Sequence, residues 1–426
     1  MSENHTRESF NICLKSENDN DENLSNKRFL ILINLILFCV IEGFNFYDIF
    51  AYKLSQNSSD WFSYFSYSIL YLISFIFLSI PSIYIIEIDI GISLILSFLC
   101  SIAREVFYIF YINYFFIFKE YCVFISIISM ILLFNSLGKI THLWFPFKQS
   151  RYIISSFIYF IFLGGSISFF IHEMKLSDTN LIRISFIKIV FINLITGMLY
   201  NPLPKVYTPY KIKQKNLYIN SKFKQIKECL KYIKQILIIS MIMSSHLFLF
   251  LSYYDIKGNI IRLNSYLGII FLSFIIGFIF ISIYFIKEYK YLILTHLILS
   301  FVLLLLSFFF SIKEYFPFES NAKNFIFIIL HIIIGINISI FIYLSYDYLI
   351  ELTYPCVGES VPISLFEIIS SFFTLLLLIV NYIIRQFIFI EGQIYVELVI
   401  YFIPLITGGI LFICNKNNIE KKLEKS

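Results

Sequence analysis

Glu42, Asn45 and Phe46 are the side chains of this sequence whose types and spacing are best suited to chemistry. They lie in the first apolar stretch at i, i+3 and i+4, which places them with Ile49 on one helical face. A carboxylate and an aromatic ring would then face the same space. A quaternary ammonium group suits such a space, because it gains an ion pair and a cation–π contact worth about 0.5 to 2 kcal/mol.

Charged residues inside apolar stretches are functional candidates, since a charge in lipid is costly unless it faces a cavity or a partner. Glu42 is one such residue, and it has an alternative structural role: it can pair with Lys188 or Arg104 and hold helices together. Glu367, in the eleventh stretch, is interpreted first as a gate charge at the cytosolic side and second as a substrate ligand.

Three histidines also fall within apolar stretches, namely His246, His296 and His331. Imidazole can relay protons or bind haem iron, so either role is open. A single histidine inside a membrane commonly serves instead as a hydrogen-bond donor between helices. His246 is the strongest functional candidate of the three.

The elements that position these side chains must be membrane spans. Hydrophobic residues make up 59% of the 426 residues and charged residues only 14%, with a mean hydropathy of +0.81. A soluble core of this length needs far less apolar surface. Two apolar blocks of similar size each divide into about six pieces of roughly 20 residues, the length that crosses a bilayer. We therefore predict an all-α integral membrane protein, a twelve-helix bundle of two six-helix halves.

The segment 201–235 separates the two halves. It contains nine lysines and a single acid, Glu228, so it must stay in water or at a headgroup surface. It could bind anionic lipids at about 1 kcal/mol per charge, although a solvated topology anchor is the simpler interpretation. The predicted parts are a disordered cytosolic tail at 1–27, one half at 28–200, the basic cytosolic loop at 201–235, the other half at 236–414 and a cytosolic tail at 415–426.

The distribution of lysine and arginine among the loops predicts the orientation. With a cytosolic N-terminus, the inner loops and tails carry 19 of these residues near the span ends and the outer loops carry 9. The positive-inside rule therefore predicts that both termini are cytosolic, in the plasma membrane or an internal membrane. The net charge of +5 follows from this topology and does not indicate nucleic-acid binding.

Three motifs carry a resemblance to a known family. The sequence ELTYP at 351–355 is similar to a signature of the feline leukaemia virus subgroup C receptor-related family of major facilitator transporters. DWFS at 60–63, with Pro81 later in the same span, resembles the start of that family's second span. KITHLWF at 139–145 resembles the end of its fourth span. The resemblance covers spans 1 to 5 and 10 to 11, while spans 6 to 9 match only in pattern.

The resemblance implies a carrier of choline and ethanolamine. The family has also been linked to haem. It implies gate residues at the inner ends of the helices, namely Asp89, Lys139, Trp144 and Glu351. The family's turn after span 2, Asp-x-x-Gly-x-Arg, survives here only as Asp89-Ile90-Gly91, without the arginine.

The family's pocket residues are only partly kept. Glu42 and Phe46 stand where the family has Asn and Trp, and two family glutamines align with Phe162 and Ser370. His246 lies in the span that supplies a substrate-facing tyrosine. We expect a more apolar pocket with these substrate-binding residues: Glu42, Asn45, Phe46, Phe162, His246 and Ser370.

The sequence thus predicts a membrane transporter that moves a small organic solute by alternating access. The favoured solute is a cation resembling choline or ethanolamine. A haem or porphyrin carrier and a non-transporting receptor or sensor are the alternatives. No HExxH, GxSxG or glycine-rich phosphate loop is present, and the cysteines have no metal-ligand spacing, so we expect neither an enzyme nor a cofactor. The expected partners are the solute and the lipid bilayer, with no nucleic acid, and we expect a monomer.

Overall fold

A computed structural model describes most of the apolar sequence. The described residues are 25–55, 61–113, 118–145, 147–174, 176–200, 222–256, 268–270, 272–274, 276–277, 289–311, 320–353, 360–387 and 390–414. Most of the predicted tails and residues 201–221 of the basic loop lie outside this range. The domain boundaries there stay predictions.

The described residues are almost entirely helical and contain no strand. The first half consists of α1 (Ser25–Ser55), α2 (Trp61–Ile88), α3 (Ile90–Asn113), α4 (Phe118–Trp144), α5 (Phe147–Glu173) and α6 (Asp178–Tyr200). The second half consists of α7 (Ile233–Ile256), α8 (described at 268–270, 272–274 and 276–277), α9 (Tyr289–Ser311), α10 (Ser320–Thr353), α11 (Ser360–Arg385) and α12 (Ile390–Cys414). A short linker helix, Lys222–Leu230, precedes α7 and packs against α11.

The helices have the length and composition of membrane spans. Eight of the described helices contain a window of at least 18 residues that is apolar enough to cross a bilayer, with mean hydropathies from 1.5 to 2.4. Large apolar side chains cover the outside: Phe77 is 71% exposed and Val190 58% exposed. Lipid solvates such a surface, and a helix satisfies its own backbone groups there. The predicted all-α membrane bundle is confirmed.

Close backbone contact holds α1 against α5. A Cβ atom built on Gly43 would overlap the carbonyl oxygen of Ile161, and one built on Gly164 would overlap the carbonyl oxygen of Val40. Small residues matter here because lipid tails are as apolar as leucine, so helices associate largely through close packing. In the second half α7 packs against α11 and α12, and across the halves α2 packs against α11 and α5 against α10.

Gly164→Ala should therefore destabilise the first half. The added methyl group meets backbone atoms of α1, so the two helices must separate, at a cost of about 1 to 3 kcal/mol. Thermal unfolding in detergent should show a lower Tm. Gly197→Ala is the matched control, because a Cβ at Gly197 meets nothing within 4 Å. Equal Tm values for the two variants would contradict this account of the α1–α5 contact.

Candidate functional site

A carboxyl group lies buried where the two halves meet. Glu367 of α11 is 6% exposed, and Tyr346 of α10 donates its hydroxyl to Oε1 of Glu367. Tyr71 of α2 lies close enough for the Glu367 charge to act on its phenol group. Both halves contribute because α2 packs against α11. Glu367, interpreted first from the sequence as a gate charge, thus lies among hydroxyl and aromatic groups.

Aromatic rings from both halves extend from this carboxyl group. The ring centroids of Phe46 in α1 and Tyr71 are 4.9 Å apart. The ring centroid of Tyr346 lies 5.6 Å from that of Phe366 and 6.3 Å from that of Phe134 in α4. We call this group the Glu367 cluster: Phe46, Tyr71, Phe134, Tyr346, Phe366 and Glu367. A carboxylate beside ring faces has the chemistry that binds an organic cation.

A second polar site lies inside the first half, where α1, α3, α5 and α6 meet. Arg104 is fully buried and donates to Asp48 and, at 2.6 Å, to Oε1 of Glu105. Nε2 of His172 lies 2.8 Å from Oδ1 of Asp48, and Nζ of Lys188 lies 2.8 Å from Oε1 of Glu105. Each of the two carboxylates therefore contacts two basic groups. Such geometry is needed to offset the loss of water around buried charges.

Asn45 connects this ion-pair network to its surroundings. It accepts a hydrogen bond from Nζ of Lys188 at 3.0 Å and donates one to Oγ of Ser101 at 3.1 Å. The ammonium group of Lys188 also lies 4.3 Å from the ring centroid of Phe44. We call the whole group the Arg104 cluster: Glu42, Asn45, Asp48, Arg104, Glu105, His172 and Lys188.

Glu42 lies at the edge of the Arg104 cluster and is only 1% exposed. The hydroxyls of Ser101 and Ser129 lie within reach of its carboxyl group, and the charge of Arg104 acts on it. Its Oε1 atom nevertheless has no hydrogen-bond partner among the described residues. Arg104 and Lys188 do form buried ion pairs, as the structural alternative supposed, but their described carboxylate partners are Asp48 and Glu105.

The second half contains a buried chain of hydrogen bonds that links four helices. The Nε2 atoms of His246 in α7 and His296 in α9 are 2.9 Å apart. Nδ1 of His296 lies 3.0 Å from Oδ1 of Asn337 in α10, and the hydroxyl of Tyr401 in α12 lies 3.2 Å from Nδ1 of His246. Nδ2 of Asn337 donates to Ser300 at 2.7 Å, which fixes the orientation of its amide group.

The direction of this chain follows from its acceptor end. Nδ1 of His296 faces two oxygens of Asn337, Oδ1 and the backbone carbonyl at 3.1 Å, so it must carry the proton. With His296 neutral, its Nε2 accepts from His246 Nε2–H. The Nδ1 atom of His246 must then accept from the hydroxyl of Tyr401. All three groups can hold this arrangement without any charge.

The remaining predicted pocket residues occupy different places. Phe162 lies at the boundary between the halves, with its ring centroid 4.5 Å from that of Phe274 in α8. Ser370 is buried and donates to the carbonyl of Phe366 within α11, at 2.7 Å. The structure therefore brings Phe46 near Glu367 and unites Glu42 with Asn45, while His246 belongs to a separate network.

The predicted gate residues are described in part. Oδ1 of Asp89 accepts from the backbone N–H of Gly91 at 2.7 Å and so caps the start of α3. Nζ of Lys139 donates to the carbonyl of Ile86 at 2.7 Å, at the last turn of α2. Trp144 and Glu351 lie in the last turns of α4 and α10, and their side chains lie outside the description. The gating role of these four residues stays a prediction.

A contact across the halves lies on the α4 side. Ser364 of α11 donates to Oδ1 of Asn135 at 2.7 Å, and Nδ2 of Asn135 donates to Ser82 of α2. At the level of α5, Tyr159 donates to the carbonyl of Ser339 in α10 at 3.1 Å. The bonds from Ser364 to Asn135 and from Tyr159 to Ser339 join helices of opposite halves, so a motion that separates the halves must break them.

No protein-family model matches the sequence, and neither does any curated protein. Solved structures do share the fold. One is the crystal structure of a POT family transporter in complex with a thioalcohol-conjugated peptide, with a TM-score of 0.61 and 14% sequence identity over 88% of this chain and 95% of that chain. At this identity the likeness concerns the fold: a major facilitator bundle of two six-helix halves, as predicted. The narrower resemblance to the feline leukaemia virus receptor-related family stays a prediction.

Sequence reasoning missed several members of these sites. Asp48 and Glu105 are charges inside apolar stretches, and the rule that singled out Glu42 applies equally to both. Tyr71 and Tyr346 carry no such signal, because the chain has 31 tyrosines. Only the packing of the halves places these two phenols at one carboxyl group.

Tyr401→Phe should destabilise the second half. The substitution keeps the ring but removes the donor to Nδ1 of His246, which then stays buried without a partner at a cost of about 1 to 3 kcal/mol. The Tm in detergent should fall accordingly. Tyr401→Phe in a His246→Phe background should cost much less, because the acceptor is absent, and an undiminished effect there would contradict the assigned hydrogen bond.

Proposed function

We propose that this chain is a membrane transporter that moves a small organic solute between the two sides of a bilayer by alternating access. The fold supports this proposal, since two helical halves that pack against each other can rock about a central site. Among the described residues, the polar contacts between the halves, such as Ser364 to Asn135, are few. Exchange of these contacts would allow each face to open in turn.

The solute is best assigned as an organic cation resembling choline or ethanolamine. The observation that carries this assignment is the Glu367 cluster, in which one carboxyl group lies among aromatic rings of both halves. An ammonium group stripped of water needs a negative charge and polarisable ring faces, and the cluster offers both. Rings from each half also mean that the solute would contact the two moving parts at once.

A haem or porphyrin carrier is less well supported by the geometry. Both ring nitrogens of His246 and both ring nitrogens of His296 lie within hydrogen-bonding distance of a partner. Neither histidine therefore has a free nitrogen for iron in this conformation. The propionates of haem would also meet the carboxyl group of Glu367, and like charges repel at low dielectric.

Uptake of labelled choline into proteoliposomes tests the proposal. Glu367→Gln should lower uptake tenfold or more, since the loss of about 1.4 kcal/mol of binding is a factor of ten. Phe46→Ala should lower apparent affinity, whereas Phe46→Trp should hold or raise it, because the indole face binds cations best. Glu228→Gln, on the linker helix, is the matched acid-to-amide control and should behave like the parent protein.

Three outcomes would count against this assignment. Saturable uptake of a fluorescent haem analogue but not of choline would favour the porphyrin alternative. Tight choline binding without flux would favour a receptor or sensor. Equal uptake by the parent protein, Glu367→Gln and Phe46→Ala would show that the Glu367 cluster only packs the helices.

A further inference from the structure

The Arg104 cluster contains more carboxyl groups than strongly basic groups. Among the described residues it contains three carboxyl groups, those of Glu42, Asp48 and Glu105, and two strongly basic groups, those of Arg104 and Lys188. With all five ionised, these five groups together carry one excess negative charge. An uncompensated charge in a low-dielectric interior is strongly unfavourable. One additional proton at this site would balance these five groups.

The contacts indicate which group takes up this proton. Asp48 accepts from Arg104 and His172, and Glu105 accepts from Arg104 and Lys188, so both are held as carboxylates. Glu42 is the one of the three carboxyl groups that no described cation contacts directly. Its Oε1 atom has no described hydrogen-bond partner, and neither has Oε2 of Glu105.

Among the described residues, no group in direct contact with Glu42 supplies a positive charge. On its own helix Cys39 lies beside it, α3 presents Cys100 and Ser101, and α4 presents Ser129. The nearest charges are those of Arg104 and Glu105 on α3, which are paired with each other. A carboxylic acid at Glu42 would balance the charges of the five groups.

Helix α1 connects this carboxyl group to the Glu367 cluster. Phe46 follows Glu42 by one turn, a separation of roughly 5 to 6 Å between the Cβ atoms, and its ring contacts Tyr71. A proton on Glu42 and a cation beside Phe46 are like charges at short range. Each therefore weakens the binding of the other, and this coupling is reciprocal.

We propose that Glu42 is a proton-binding site and that the protein exchanges protons for organic cations. The inference rests on the proposed function and adds the coupling ion. Entry of the cation displaces the proton from the Glu42 carboxylic acid to water on the side that is open, which leaves a carboxylate. After the cation leaves on the other side, Glu42 takes up a proton there, and the neutral cluster returns.

Proteoliposomes loaded with a pH-sensitive dye test the exchange, with the membrane potential clamped at zero by valinomycin and equal potassium. An interior more acidic by one pH unit should drive about tenfold accumulation of labelled choline for one-to-one exchange. The interior should become more alkaline as choline enters. Glu42→Gln should abolish this proton movement and the response to the gradient, while Glu42→Asp should keep both. Glu228→Gln should match the parent protein.

The possible results separate the two proposals. Choline uptake without proton movement, or uptake driven by an acidic exterior, overturns the exchange and leaves the transport of cations standing. Absence of choline binding and uptake overturns both. A third measurement concerns Glu42 alone: infrared spectra of the purified protein should show a carboxylic-acid C=O band that titrates with pH and is absent in Glu42→Gln. A band unchanged by that substitution overturns the proton site, and the dye measurement on the parent protein decides the exchange even if Glu42→Gln does not fold.

Discussion

The constraint on which the structure depends is that charges inside a membrane bundle must be compensated by other groups of the bundle. Arg104 illustrates this constraint, because it is fully buried and its described charged partners, Asp48 and Glu105, come from α1 and α3. His172 of α5 and Lys188 of α6 complete the network. Four helices of the first half are thereby fixed to one another by charge.

The part of the second half between α7, α9, α10 and α12 accommodates its buried polar groups without charge. Its buried polar groups form a directed chain from Tyr401 through His246 and His296 to Asn337, in which each donor has an acceptor. A neutral network avoids the desolvation of ions and fixes the relative positions of α7, α9, α10 and α12. The two halves therefore differ in their described polar interior, which contains ion pairs in the first half and a neutral hydrogen-bonded chain in the second.

The boundary between the halves differs from both polar networks. Direct packing there is made by aromatic rings and a few hydroxyl bonds, such as Tyr159 to Ser339, and not by a charge network among the described residues. Such contacts can be exchanged at low cost, which an alternating-access motion requires. Glu367 is the buried acid at this boundary that Tyr346 holds in place.

The sequence by itself determined the class of protein, because apolar runs of about 20 residues can only be membrane helices and their grouping around a basic loop defines two halves. It also singled out Glu42 and Phe46 as candidates, since a charge or an aromatic ring one turn away on an apolar helix is visible as local spacing. Tertiary structure alone decided the partners. Arg104 meets Asp48 across 56 positions of sequence, and Ser364 meets Asn135 across 229. Periodicity specifies which face of a helix is polar, but only the packing of α1 against α5 and of α2 against α11 specifies what that face meets.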